Sequence, residues 1–348
     1  MMLGNLSKLL TPAALGIQAW RKRKRFFGAQ IRKGALYELL SQAGFQVVDV
    51  GARGGPMQQL FLLAPFAQYF ACEPDTEEAQ KLCSLVNQHA PWKGVTVFSE
   101  ALSTQVGKAT LYICNQPGLS SLLQPNWDVV RRYYDDGRFE VCRELTVPTI
   151  TLDDAAERYG FAEACFIKLD TQGTELDILR SGQKLISKAV LGLHVEVEFH
   201  PFYRNQALFS DVDAYLRSLG FCLIDLQRTL IRRASCQGNL YSRRQLVWGD
   251  ALYLKEPSVV ISADDRSSML RLSRLLGLAL VFEQFDLACE ITTSAMTTPY
   301  FQNEWSETIK QEIERLAFAS TKAAKKVAKS RRQRPKPVKF MYTDRNRV

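Results

Sequence analysis

Val47-Val48-Asp49-Val50-Gly51-Ala52-Arg53-Gly54-Gly55 is a short apolar run that delivers one acidic residue and then a glycine-rich turn. A valine-rich run of this length is a buried strand, and glycine after it lets the backbone come close to a bound molecule. In a doubly wound sheet, ligands bind at such a turn, outside the carboxyl ends of the strands. Tight packing alone also uses glycine here, so the reading depends on the strands further along the chain. Phe45–Val50, Ala67–Cys72, Val95–Phe98, Cys165–Leu169, Val190–Val197 and Phe221–Leu226 are short apolar runs spaced by helix-length segments, which predicts a parallel sheet with crossover helices. Ala251–Leu254 is expected as a last, antiparallel edge strand. Thr110–Cys114 and Glu140–Ile150 flank the irregular stretch Gly118–Tyr134, which predicts an insertion at the ligand end of the sheet.

The ends of the chain have a different character. Overall the 348 residues carry a formal charge of +9, but residues 1–35 hold eight basic and no acidic residues, and residues 321–348 hold eleven basic residues against Asp344 alone. The body between them is left with a net charge of −9, so a polyanion is expected to meet the ends rather than a groove in the body. The apolar residues Leu3 to Trp20 run into Arg21–Arg25, a pattern that suits the interface of an anionic membrane and equally suits a helix packed on the domain. Because the apolar stretch precedes the charges, it is not expected to act as a signal peptide, and no apolar run reaches the ~20 residues of a bilayer span. Eight cysteines without CxxC or zinc spacing read as reduced, mostly buried thiols in a reducing, cytoplasmic setting. After Pro257 the pattern turns helical, with one helix through Leu270 to Phe285 and a second through Trp305, Ile309, Ile313 and Leu316. The resulting division is a basic N-terminal segment (1–35), an α/β domain (36–256), a helical extension (257–320) and a basic tail (321–348).

The second strand, Tyr69-Phe70-Ala71-Cys72-Glu73-Pro74, ends in a carboxylate about twenty residues after the first turn, a spacing that suits hydrogen bonds to ribose hydroxyls. The turn lacks the G-x-G-x-x-G phosphate cradle, and a pyrophosphate would not favour Asp49 so close. S-Adenosylmethionine has no phosphate and carries an amino group and a sulfonium, which a carboxylate helps to hold.

At this point the residues resemble those of the FkbM-type methyltransferases. VVDVGARGG, the ACEPD strand end, SEALSTQVGKATLY, GLSSLL, VPTITLDD, FIKLDTQGTELDILRSG and VEVEFHPFY stand in that family's order across roughly residues 44–230. The most specific piece, Phe166 to Glu175, is similar to the family's K-(I/L)-D-x-x-G-x-E signature. The resemblance implies an α/β, Rossmann-like class I methyltransferase fold: a seven-stranded, mostly parallel sheet of order 3-2-1-4-5-7-6, last strand antiparallel, with a C-terminal helical extension added here. It also implies transfer to a hydroxyl of a sugar, glycan, glycolipid or secondary metabolite. Asp49, Gly51 and Gly54, with Ala52, then fall at the methionine end of the cofactor, Glu73 with Pro74 at the ribose, and Glu100 and Ala101 near the adenine. Asp170 and Gly173 fall where donor and acceptor meet. Arg53 departs from the pattern, where a small or amide residue is expected.

Methyl transfer to an alcohol requires alignment and removal of one proton. Asp170 is the first candidate base, followed by Glu198 and His200, because His194, Glu196, Glu198 and His200 share parity on one strand and point to one side of its pleat if it stays regular. Each also has an ordinary reading: His200-Pro201 as a strand cap, the glutamates as solvated residues, Lys168 as a partner of Asp170. The carboxylates allow a divalent metal without requiring one. Ser120, Ser121, Trp127, Tyr133 and Tyr134 in the insertion suit a sugar or polyol, and also suit a surface loop. Two further readings are a nucleic-acid methyltransferase guided by the basic ends, against which the acidic body speaks, and a non-catalytic scaffold attached through those ends.

Overall fold

The computed structural model describes residues 34–89, 92–133, 136–235, 243–261, 266–297 and 307–318. The basic N-terminal segment and the basic tail lie outside the described residues, as do Tyr134 and Trp305. In chain order the strands are β1 (Phe45–Val50), β2 (Ala67–Cys72), β3 (Gly94–Phe98), β4 (Ala101–Leu102), β5 (Gly107–Cys114), β6 (Val141–Ile150), β7 (Phe166–Leu169), β8 (Gly192–Glu198), β9 (Phe221–Ile231) and β10 (Gln245–Lys255).

Seven of them form one sheet in the order β3-β2-β1-β7-β8-β10-β9, which is 3-2-1-4-5-7-6 when they are numbered within the sheet. β1 pairs parallel with β2 and β7, and β7 parallel with β8; β10 runs antiparallel to both β8 and β9. The order therefore reverses between β1 and β7, the switch point at which ligands bind in such sheets. β1 and β7 are buried on both faces because helices cover the sheet on each side. On one face the helix Arg266–Val281 lies so close that a Cβ on Gly277 would sit 2.6 Å from the Phe45 ring, and one on Gly192 would sit 3.1 Å from Leu278.

Ala251–Leu254 is not an edge strand. It belongs to the longer β10, inside the sheet, where Ala251, Leu252, Tyr253 and Leu254 are all buried. An edge position would expose such a run; the half-exposed β9, with Gln227 and Arg228 facing solvent, takes the edge instead. The helix expected from Leu270 through Phe285 is two helices, Arg266–Val281 and Phe285–Thr297. Glu283 breaks it with φ +60, while Gln284 N–H donates to Ala279 O (2.8 Å) and Glu283 N–H to Leu280 O (3.2 Å), the paired bonds of a Schellman turn.

The predicted insertion is present as a three-stranded sheet, β4-β6-β5, with short helical turns between β5 and β6. Its apolar side (Leu119, Val130, Tyr133, Phe139) packs on Phe202, Tyr203 and Val247. Residues 34–37 and the helix 307–318 belong to a separate compact unit, in which Leu36 N–H donates to Glu312 Oε2 (3.1 Å). Of the seven described cysteines only Cys72, Cys114 and Cys165 are buried, fewer than expected, and all seven are free thiols. Among the described residues no helix is long and apolar enough to cross a membrane.

Candidate active site

A cleft of about 750 Å³ opens at the carboxyl ends of β1, β2 and β7. Gly51, Arg53, Glu73, Pro74, Asp170 and Gln172 line it from the main sheet; Ala101 and Leu102 of β4, Leu111 of β5 and the Gly118 to Leu122 segment close it from the insertion. It thus brings together seven of the expected residues, Gly51, Glu73, Pro74, Ala101, Ser120, Ser121 and Asp170.

The glycine turn is fixed from two sides. Gly51 N–H and Ala52 N–H both donate to Cys72 O at 3.1 Å, tying the turn to β2. Gly51 has φ +71, and a Cβ there would lie 1.9 Å from the Asp170 carbonyl oxygen. Only glycine allows β1 and β7 to come this close. Ala52 is fully buried and Gly54 (φ +86) shapes the turn; neither lines the cleft.

Asp49 is also absent from the cleft wall. It is fully buried, with Tyr69 Oη donating to its Oδ2 (2.7 Å) and Lys168 Nζ to its Oδ1 (3.1 Å). Burial pushes the Asp49 carboxyl up, while Lys168 and Tyr69 oppose the shift. Lys168 Nζ also donates to Gly51 O (3.2 Å) and lies 3.5 Å from Asp170 Oδ2. Asp49 and Asp170 hold the ammonium above its ordinary value against the burial that would lower it. Lys168, read from the sequence only as a partner of Asp170, is the post on which the first turn and the signature strand both hang.

The ribose-side edge is acidic and braced. Glu73 is buried; Asp75 N–H donates to its Oε1 (3.0 Å), and Oε2 accepts no hydrogen bond from any described residue. Arg53 reaches Glu73 (3.9 Å), Asp75 (3.4 Å) and Glu78 (3.5 Å), which accounts for a cation where the family pattern has a small residue. Glu100 turns away from the cleft. Tyr159 Oη (2.6 Å) and Arg158 (2.9 Å) donate to it, and although burial raises its carboxyl, these bonds hold it below the usual carboxylate range.

Beyond Asp170 lies a cluster of acids, Glu175 and Glu198 buried, Glu196 and Asp250 half-buried. Glu175 accepts from Thr171 N–H (2.7 Å) and Gly173 N–H (2.9 Å), closing the loop after β7. Burial first, and then the neighbouring carboxylates, push Glu196 and Glu198 on β8 far up, and burial followed by Asp170 pushes Asp250 up to about 6. Burial and Lys168 push His194 down to about 4, so it adds no cation at neutral pH. Glu198 lies behind the cleft rather than on its wall. Among the described residues no group of three or more His, Cys, Asp or Glu is arranged to hold a metal ion.

His200 does not share the face of Glu196 and Glu198. β8 stops at Glu198, Pro201 has no N–H to extend a ladder, and His200 O accepts from Phe202 N–H in a tight turn, so the parity expected from a regular strand is lost. Its Nε2 lies 2.8 Å from Gln245 Nε2, and its ring is 5.8 Å from that of Tyr133. Burial, then Arg233 and Arg132, push the imidazole down. Arg233 stacks over Tyr133 and Arg131 over Trp127, at 6.0 and 5.5 Å. This corner is locally basic, which the net negative charge of the body did not reveal.

A mostly parallel sheet in this order, with a glycine turn and two strand-end carboxylates around one cleft at its switch point, defines a Rossmann-like methyltransferase. The Methyltransferase FkbM domain family matches residues 49–223, half of the chain, and the chain belongs to that family of S-adenosylmethionine-dependent enzymes. Among curated proteins it is 26% identical over 202 residues to the 2-O-methyltransferase NoeI of Sinorhizobium fredii (strain NBRC 101917 / NGR234), covering 53% of this chain and 80% of that one. Among solved structures it is similar to the methyltransferase FkbM of Methylobacillus flagellatus KT, at 17% identity over 61% of this chain with a TM-score of 0.36, and it spans 44% of that chain's length. It is also similar to magnesium protoporphyrin IX methyltransferase (ChlM) of Synechocystis PCC 6803, at 15% identity over 69% of this chain and 91% of that one, with a TM-score of 0.29.

Proposed function

We propose that this cleft holds S-adenosylmethionine and that the chain transfers the methyl group to a hydroxyl oxygen of a sugar, glycan, glycolipid or other small hydroxylated acceptor. The meeting of Gly51, Glu73 and Asp170 in one cleft carries the reading. The residues suit the donor: Gly51 offers backbone without a side chain, Glu73 Oε2 is an acceptor with no competing donor among the described residues, and Ala101 and Leu102 give an apolar wall for an adenine ring. When bound, S-adenosylmethionine supplies an electrophilic methyl group on a sulfonium. The chain then has to align an alcohol and take its proton. We assign that task to Asp170, which lines the cleft with its side chain 36% exposed. Asp170 would take the proton of the acceptor hydroxyl and release it to solvent. A hydroxyl acceptor is supported by the name of the Sinorhizobium relative, a 2-O-methyltransferase. The basic ends, 1–35 and 321–348, would bring the enzyme to an anionic membrane surface.

Calorimetric titration of the full chain with S-adenosylmethionine and S-adenosylhomocysteine tests the reading. Both are expected to bind, and Glu73→Ala is expected to weaken them by roughly 10–100-fold while the fold persists. A well-folded chain that binds neither overturns it.

A further inference from the structure

Asp170 does not stand alone at the cleft. Gln172, two residues on, is buried, with φ +60 in the left-handed region that side chains rarely adopt. Its Nε2 donates to Asp170 Oδ1 at 2.9 Å and, with its other hydrogen, to Glu196 Oε2. Its Oε1 lies 3.2 Å from Tyr203 Oη, which is also 2.7 Å from Leu119 O. Its backbone carbonyl accepts from Ser121 Oγ (2.8 Å), and Ser121 is buried in the insertion wall of the cleft. One residue thus touches the end of β7, β8 and the insertion. Leu, Met or Ala in this strained conformation would make none of the side-chain bonds.

We propose that Gln172 is a positioning residue for methyl transfer, its carboxamide orienting Asp170 toward the acceptor hydroxyl while its carbonyl sets the opposing wall of the cleft through Ser121. The proposal rests on Asp170 as the group that receives the acceptor's proton. Lys168 grips Oδ2 and Gln172 grips Oδ1, so the carboxylate is fixed in plane with its remaining lone pairs open to the cleft. Without the amide donor, Asp170 would face Glu175, Glu196, Glu198, Asp250 and Asp49, with Lys168 as the cation that touches it and His194 neutral. Its rotamer would then be free.

The test uses the full chain labelled with ¹³C at the aspartate carboxyl carbon, recorded by NMR at neutral pH with S-adenosylhomocysteine present, the Asp170 signal being assigned by its loss in Asp170→Asn. In Gln172→Met, which removes both N–H donors, that signal is expected to split or broaden as the carboxylate samples more than one rotamer. S-Adenosylhomocysteine affinity is expected to change by less than about threefold, since reorienting a carboxylate that does not hold the cofactor moves binding little. Methyl transfer is expected to fall by roughly 10–100-fold in kcat with little change in KM for S-adenosylmethionine. Gln172→Asn, which tolerates the left-handed backbone but falls one methylene short, is expected to reproduce the change should the methionine variant fail to fold. A single, unchanged Asp170 signal in a folded variant overturns the proposal and leaves the cofactor site standing. Failure of the parent chain to bind S-adenosylhomocysteine overturns the site itself.

Discussion

The two acidic regions of the sheet satisfy buried carboxylates in opposite ways. At the switch point, Asp49 and Asp170 share Lys168, and Tyr69 and the glycine turn complete the bonding. One strand over, Glu196 and Glu198 have carboxylate neighbours, an amide and, among the described residues, no cation in contact. A carboxyl group out of water is stable as half of an ion pair or as a neutral acid. The first region answers burial with an ammonium, whereas in the second burial and the neighbouring carboxylates push both carboxyls far up.

The largest effect that would break this contrast is expected for Lys168→Met. It leaves Asp49 buried and unpaired and removes the post under Gly51, at a cost of about 3–5 kcal/mol in urea denaturation. A loss below about 1 kcal/mol would mean that Tyr69 and the turn suffice. Glu196→Gln acts with the opposite sign. The native chain keeps a proton on Glu196 at pH values where the unfolded chain has lost it, so stability is full below the ordinary glutamate value and falls as pH rises through the shifted one. The glutamine variant escapes that fall and is expected to be more stable than the parent by about 1 kcal/mol at pH 7–8, a gain that shrinks toward pH 4. Thermal melts across this range measure it, and a gain that grows on acidification contradicts the assignment. The smallest effect is expected for His200→Ala. Held among Tyr133, Arg132 and Arg233, away from the cleft wall, it is expected to leave S-adenosylhomocysteine affinity within about twofold, since distant, independent sites couple weakly. A tenfold loss of methyl transfer in that variant would return His200 to the acceptor side.

What was legible acts through local sequence. A strand, a glycine turn and a strand-end acid twenty residues later are each set within a few residues, and Gly51, Glu73 and Asp170 meet in one cleft. The seven-strand order was legible through the resemblance alone, since periodicity cannot say which strands pair. Roles that depend on distant contacts were hidden. Asp49 reads as a ligand because nothing near it in sequence shows that Tyr69 and Lys168 consume its oxygens. Glu100 fails likewise through Tyr159. His200 was misplaced because strand parity was carried two residues past the end of β8, although Pro201 marks the stop. Gln172 gave no signal at all: its importance lies in a backbone angle and in contacts with Ser121, Glu196 and Tyr203.

The 1.9 Å between a hypothetical Gly51 Cβ and the Asp170 carbonyl oxygen also bears on how this enzyme can change. The first turn and the signature strand are cut to one tolerance, so they drift together or not at all. A graft that brings β7 from one parent and the β1 turn from another meets this contact at its seam, and both pieces have to come from the same parent.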